Sequence, residues 1–305
     1  MDILKLVNAL PGAAAQGLVW GIMAIGVYIT YRVLDVADLT VDGSIATGGA
    51  VAAVLIMNGV SFWIALLVAF LAGMAAGLAT GVFHTYMGIP AILSGILTQL
   101  GLYSINLHIM SEKANVAVNP NKYPLLVSLR NVRAVSTANP IFVLAVFTAV
   151  IILALYWFFG TELGCSMRAT GANPRMARAQ GINTDANKLL GLMLSNGIVA
   201  LAGGLLSQYQ GFADVNMGRG AIVIGLAAVI IGEVFFGKIF INFGLKLMSV
   251  SIGAIIYYLV IQVVLWMGLN ANDLKLLTAL VVAVFLAIPF WKGKFFGRKG
   301  EKKGA

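Results

Sequence analysis

The chain has 305 residues, 60% of them hydrophobic and only 10% charged, with a mean hydropathy of +0.96 and a formal net charge of +9. A water-soluble chain is normally about a quarter charged, and a soluble core of this size cannot hide so much apolar surface, so the solvent is lipid. Six of the 20 basic residues fall within 292–305, directly after an apolar run. That is the pattern of a cytoplasmic flank, and it accounts for the charge without a nucleic-acid partner.

Backbone facing hydrocarbon must satisfy its own hydrogen bonds, which leaves helices or a closed barrel. The apolar runs are about twenty residues long rather than alternating tens, and they select helices. The fold class expected is all-α, a polytopic membrane protein with about nine transmembrane helices, some of them discontinuous. Cys165 is the single cysteine, so neither a disulfide framework nor a cysteine metal cluster is expected.

In chain order, the opening "MDILKLVNALPGAAAQG" has an apolar core interrupted by Lys5 and Asn8, and reads as a surface segment rather than a cleaved leader. Apolar runs follow at about 12–31, 43–58, 61–83, 89–110, 139–159, 187–208, 219–236, 241–267 and 273–291. The runs 43–58 and 219–236 are short enough to be broken or partial spans. Fixing the basic tail inside places loops 32–42, 84–88, 160–186 and 237–240 in the cytoplasm, and the N terminus and loop 111–138 outside. Arg168, Arg175, Arg178, Lys188 and Lys238 agree with the positive-inside bias, whereas Lys113, Lys122, Arg130 and Arg133 run against it.

An internal repeat is visible. Gly21 to Leu39 laid over Gly197 to Val215 aligns Gly21 with Gly197, Ala24 with Ala200 and Asp38 with Asp214. One inserted residue then aligns Gly43 with Gly220, Ile45 with Ile222, Gly48 with Gly225 and Ala50 with Ala227; "ILTQL" (96–100) later resembles "LLTAL" (276–280). The second copy begins five spans after the first. That odd offset predicts copies crossing in opposite senses, an inverted-topology repeat with a substrate path along the repeat junction. The chain divides into repeat 1 (about 12–110), a linking span (139–159), a polar loop (160–186), repeat 2 (about 187–291) and the tail (292–305), all one transmembrane domain.

Both copies carry an aspartate before a glycine-containing break, "ADLTVDGS" and "ADVNMGRG". Asp38, Thr40, Asp42 and Ser44 belong to the first break; Asp214, Asn216 and Arg219 belong to the second. Gln99, Tyr103 and Asn106 fall at i, i+4 and i+7, a polar stripe on one helix face. A polar face inside lipid turns to protein or to water, so these ten residues are candidates for a substrate path. They can equally serve to tie helices together. Gly73, Gly77 and Gly81 form a small-xxx-small ladder suited to helix packing.

"GEVFFGK" (232–238) has the spacing of a phosphate loop, but Ile239 stands where Ser or Thr must hold magnesium. His84 and His108 are isolated, and no acid, base and nucleophile are paired, so an enzyme is not expected. In the polar island "RATGANPRMARAQGINTD" (168–185), Asn173 suits an N-cap, Pro174 the first helical position and Gly181 the C-terminal stop. Arg175 and Arg178 then share one face of a short capped helix, which suits docking to another protein better than spanning a gap.

"GCSMRATGANPRMARAQGI" (164–182) resembles the cytoplasmic coupling-loop motif of bacterial ATP-binding-cassette (ABC) importer permeases of the branched-chain amino acid and ribose class. "ADLTVDGS" is similar to the early signature of that class. "IPAILSGILTQLGLYSINLHIM" (89–110) and "GLAAVIIGEVFFG" (225–237) have counterparts in its single-permease branch, often described as tryptophan-type. The resemblance implies that Arg168, Gly171, Asn173, Pro174, Arg175, Arg178 and Gly181 belong to the segment touching the ATPase. It further implies a permease homodimer in the bacterial inner membrane, a cytoplasmic ATPase dimer carrying the ATP and magnesium, and an extracytoplasmic substrate-binding lipoprotein; this chain itself would hold no cofactor. The implied cargo is a small polar solute, with small or aromatic amino acids leading. The aspartate-bearing signature departs from the asparagine-rich version of many branched-chain permeases, which weakens the case for a branched-chain cargo. A sugar or nucleoside importer and an ion-coupled secondary transporter remain alternatives.

Overall fold

The computed structural model describes residues 3–132, 139–237 and 239–267 and, towards the C terminus, residues 276, 278–280, 282–285 and 287. Arg133, Lys238, most of the ninth apolar run and the basic tail 292–305 lie outside the described residues.

The first eight apolar runs are all helical. Repeat 1 contributes α1 (Ile3–Tyr28), α2 (Val41–Met57), α3 (Phe62–Thr85) and α4 (Ala91–Ile109). The linking span is α5 (Pro140–Gly160). The polar loop folds into α6 (Glu162–Ala172) and α7 (Pro174–Ala179). Repeat 2 begins with α8 (Thr184–Gln210), α9 (Ala221–Phe236) and α10 (Phe243–Trp266). Six of these segments, taken with the helical turn that continues α1 to Val33, are long and apolar enough to cross a membrane; α2 and α9 are shorter. At 1.5 Å per residue the two short helices reach only about 25 Å, less than the ~30 Å hydrocarbon core.

Three expectations need correction. The opening segment is not a separate surface stretch: α1 starts at Ile3 and runs through Pro11 without interruption. Loop 32–42 does not stay at the surface. A π-helical turn at Ile29–Val33 and a left-handed Asp35 (φ 54°) send the chain back into the bundle, where Leu34, Val36, Asp38 and Thr40 are buried. Segment 160–186 is mostly helix, because Thr161 Oγ1 accepts a hydrogen bond from Gly164 N and starts α6 ahead of α7. Among the described residues the all-α expectation has one exception, a two-stranded antiparallel ribbon of β1 (Asn115–Ala117) and β2 (Phe212–Asp214), with Val116 opposite Ala213.

Packing follows the repeat. Exchanging α1 with α8, α2 with α9 and α3 with α10 maps the helix contacts onto themselves. α3 lies on α8 as α10 lies on α1, α2 on α8 as α9 on α1, and α3 on α2 as α10 on α9. The senses are opposed. Tyr209 Oη, near the end of α8, donates to Gly12 O near the start of α1 (3.0 Å), and Ser195 Oγ, mid-α8, donates to Gly26 O near the end of α1 (2.7 Å). The repeat-related helices α1 and α8 are therefore antiparallel, and the repeat is inverted.

Small residues make the close crossings possible. A Cβ on Gly73 or Gly77 would stand 2.3 Å from the carbonyl oxygen of Asn196 or Leu192, and one on Gly17 would stand 2.7 Å from Ile255 Cα. Helix association inside lipid depends on this kind of backbone approach. Large apolar side chains instead cover the outward faces, among them Trp63 and Leu67 on α3, Leu100 on α4, and Leu153 and Trp157 on α5.

Candidate functional site: a mid-depth junction and a capped hairpin

The two short helices meet head to head. Ser44, in the first turn of α2, donates from Oγ to Asn196 Oδ1 at 2.6 Å, and Asn196 is the middle of the 27-residue α8. The start of α2 thus lies halfway through the bundle. The start of α9 is at the same depth, because both Asp42 carboxylate oxygens accept from its opening backbone, Gly220 N and Ile222 N, each at 2.9 Å. Helix N-termini carry roughly half a positive charge and four unbonded N–H groups. Asp42 neutralises one such end with a side chain from the other repeat.

Behind this junction the polar residues are fully engaged with one another. Asp38, 2% exposed, accepts from Thr40 N at Oδ1 (2.9 Å) and from Asn196 Nδ2 at Oδ2 (2.7 Å). Thr40 and Thr80 share a hydroxyl hydrogen bond of 2.6 Å, Thr80 donates to Thr98 at 2.8 Å, and Thr98 donates to Ser94 O at 3.0 Å. This buried chain joins the re-entrant segment and α2, α3, α4 and α8. It places Asp38, Thr40 and Ser44 in a structural tie, with little polar capacity left for a solute.

In front of the junction the arrangement is open. A cavity of about 390 Å³ is lined by Asp42, Gln99, Tyr103, Asn106 and Arg219 together with apolar and glycine positions. The stripe on α4 and one member of each break therefore converge on a single space, within the ~300–1,000 Å³ typical of small-molecule sites. Asn106 is 1% exposed, and its Oδ1 has no hydrogen-bond partner among the described residues. Arg219 also borders a second cavity of about 610 Å³ between α1, α9 and α10, where Gln16, Tyr257, Tyr258 and Gln262 contribute polar atoms. Asp214 and Asn216 line neither space. Asp214 sits in the ribbon, where its carboxylate accepts from Asn115 Nδ2 (3.3 Å) and Asn216 N (2.7 Å).

At the end of the bundle where Arg32 Nε pairs with Glu233 Oε1 (2.9 Å), α6 and α7 form a compact hairpin. Asn173 Oδ1 accepts from Met176 N (3.1 Å), Pro174 occupies the first helical position, and Gly181 takes a left-handed φ of 80°. Arg178 folds back, donating from Nε to Thr184 Oγ1 (2.6 Å) and from an η nitrogen to Asp185 Oδ1 (2.9 Å). Asn187 of α8 bridges Thr170 and Ser166 of α6. Gly171 lies so close to Val33 O that a Cβ would stand 1.8 Å from it, and Arg168 lies over the Phe243 ring at 5.5 Å. These contacts fasten the hairpin to α1, α8 and α10. Arg175 and Met176 project outward, and Arg175 makes no hydrogen bond or ion pair among the described residues.

Asn196, Thr80 and Thr98, and the tyrosine and glutamine pairs of the larger cavity, were not expected from the sequence. Their only sequence signal is isolated polar residues inside apolar runs. The phosphate-loop spacing has no structural counterpart, since residues 232–236 belong to the last turns of α9.

The family model described as "Branched-chain amino acid transport system / permease component" matches residues 10–289. The chain is 41% identical to the tyrosine transport system permease protein of Clostridioides difficile (strain R20291) over 272 residues, which cover 89% of this chain and 88% of that protein. It is 26% identical to the fructose import permease protein FruF of Bifidobacterium longum (strain NCC 2705) over 249 residues, covering 81% of this chain and 68% of that one. Among solved structures, PsaBC from Streptococcus pneumoniae in complex with Fab matches with a TM-score of 0.43 and 17% identity, over 86% of this chain and 95% of that chain.

Proposed function

This chain belongs to the family of branched-chain amino acid transport system permease components, and from that premise we propose that it is the membrane subunit of an ABC importer bringing an amino acid into a bacterial cell. An aromatic amino acid is the preferred cargo, since the 41% identical relative is named for tyrosine transport. Two permease copies work with a cytoplasmic ATPase dimer, which binds ATP and magnesium, and with an extracytoplasmic binding protein that delivers the solute. The hairpin of α6 and α7, the basic tail and the Arg32–Glu233 end face the cytoplasm, and the ribbon faces outward.

One observation carries the reading: the two short helices meet at mid-depth beside a cavity bearing a carboxylate, a guanidinium and amides. Helix ends that meet at the junction of inverted repeats are where secondary transporters hold polar solutes, and the same geometry suits a solute path here. A second reading, sugar import, draws on the fructose permease relative and on Gln99, Tyr103 and Asn106, uncharged groups able to bond hydroxyls.

The test is reconstitution of the permease with its ATPase and binding protein in liposomes. ATP-dependent accumulation of labelled tyrosine or tryptophan, unaffected by an ionophore, is the expected result. Accumulation of a sugar in place of amino acids would favour the second reading. Uptake by this chain alone, abolished by an ionophore, would replace both with ion-coupled transport.

A further inference from the structure

The repeat is symmetric in backbone but not in charge at its centre. In the register that aligns Gly43 with Gly220, the partner of Asp42 is Arg219. Each stands at the start of one of the two short helices, one acidic and the other basic. Asp42 is committed to the backbone of α9 through two 2.9 Å hydrogen bonds. The side chain of Arg219 has no ion pair or hydrogen bond among the described residues, and it borders both the 390 Å³ and the 610 Å³ cavities.

Arg219 is exposed, so its guanidinium is reachable by a solute, and it carries no counter-ion among the described residues. In the same smaller cavity, Asn106 Oδ1 is a buried acceptor without a donor, a state that native interiors seldom leave uncorrected. The two deficits differ in kind: one lacks an anion and the other lacks an N–H or O–H donor. A solute that meets both at once carries a carboxylate and an ammonium. Fructose has no anionic group for Arg219, whereas an α-amino acid has both.

We propose that Arg219 receives the α-carboxylate and Asn106 Oδ1 the α-ammonium of a zwitterionic amino acid, whose side chain extends towards the larger cavity. This assignment rests on the amino acid importer reading above. The larger space offers Val223, Tyr257, Tyr258, Ile261 and Leu265, an aromatic and aliphatic wall suited to a bulky side chain. A carboxylate on Arg219 keeps one cation at the border of both spaces.

The experiment uses the permease–ATPase complex without binding protein, so that the permease is the source of selectivity. Equilibrium binding of labelled L-tyrosine is competed by unlabelled L-tyrosine, by tyramine (no carboxylate) and by 3-(4-hydroxyphenyl)propanoate (no ammonium). L-Tyrosine is expected to compete and the two truncated analogues to compete at least tenfold less well, since hydrogen bonds to charged groups discriminate by about ten- to hundredfold. Arg219→Gln should erase the preference for tyrosine over tyramine, Asn106→Leu the preference over the propanoate, and Arg219→Lys should retain part of the first. Unchanged competition in Arg219→Gln or Asn106→Leu, with native tyrosine uptake in the complete transporter, overturns this assignment and leaves the importer reading standing. A complete native transporter that carries fructose but no amino acid overturns both. Should Arg219→Gln fail to assemble with the ATPase, Asn106→Leu alone decides.

Discussion

Asn196 joins the two repeats through one side chain. Its amide nitrogen serves Asp38 and Leu192 O, and its amide oxygen takes the hydroxyl of Ser44. Asn196→Ala leaves Asp38 and Ser44 short of a partner in a fully buried setting, at ~1–3 kcal/mol for each orphaned group. Ser44→Ala should then cost less in the Asn196→Ala background than in the native chain, because the bond it deletes is already gone. Thermal unfolding of the purified permease in detergent measures this. A double variant whose loss equals the sum of the singles would show that the bond contributes nothing. In the sequence, Asp38, Thr40 and Ser44 are polar residues beside apolar runs, a pattern common to a helix tie and a solute path. The partners that decide the matter, Asn196, Thr80 and Thr98, are 40 or more residues away in most pairs and carry no local pattern of their own. Gln99, Tyr103 and Asn106 were easier to find, because a single helix spaces them on one face.

The helix α7 shows where local chemistry is enough. Asn173, Pro174 and Gly181 sit in the cap, first-turn and left-handed positions that their chemistry favours, and the element is bounded accordingly. α6 was missed because its signal is one threonine before a glycine-containing polar stretch, with no apolar stripe long enough to announce a helix. The two arginines of α7 also separate once their neighbours are known. Arg178 is spent on Thr184 and Asp185, whereas the Arg175 side chain is exposed and makes no ion pair among the described residues. Arg175→Glu should therefore leave the melting temperature nearly unchanged, as for most exposed substitutions (about ±0.5 kcal/mol), while lowering ATPase co-purification and ATP-driven uptake severalfold. Arg178→Glu should lower both stability and uptake, because it places like charges beside Asp185. Native ATPase recovery with Arg175→Glu would remove that face of α7 from the docking surface.

The chain as a whole is two oppositely threaded halves joined by α5 and the hairpin of α6 and α7. The first eight apolar runs gave its helices, six of them long enough to span, and the odd offset between repeats gave its inversion. The re-entrant course of residues 34–40 was not legible, because a polar stretch after an apolar run reads as a surface loop unless its partners inside the bundle are known. Inversion has a consequence that can be measured without a transported solute. α2 and α9 are repeat-related and both start at mid-depth, yet α2 runs parallel to α8 and α9 parallel to α1. Gly48 against Ala200 and Gly204 against Ala52 mark the first pairing; Gly225 against Met23 and Val27, with Glu233 paired to Arg32 further on, marks the second. The chain must therefore leave α2 and α9 on opposite sides of the membrane. Asn58 follows α2 and Ile239 follows α9, and both are exposed. In a Cys165→Ser background, Asn58→Cys should react with a membrane-impermeant maleimide added to intact spheroplasts. Ile239→Cys should stay unlabelled until the membrane is opened, as should Arg175→Cys in α7. Labelling of both Asn58→Cys and Ile239→Cys from the same side would be incompatible with inverted halves. The mid-depth meeting of α2 and α9, and the solute site argued from it, would fall together with that inversion.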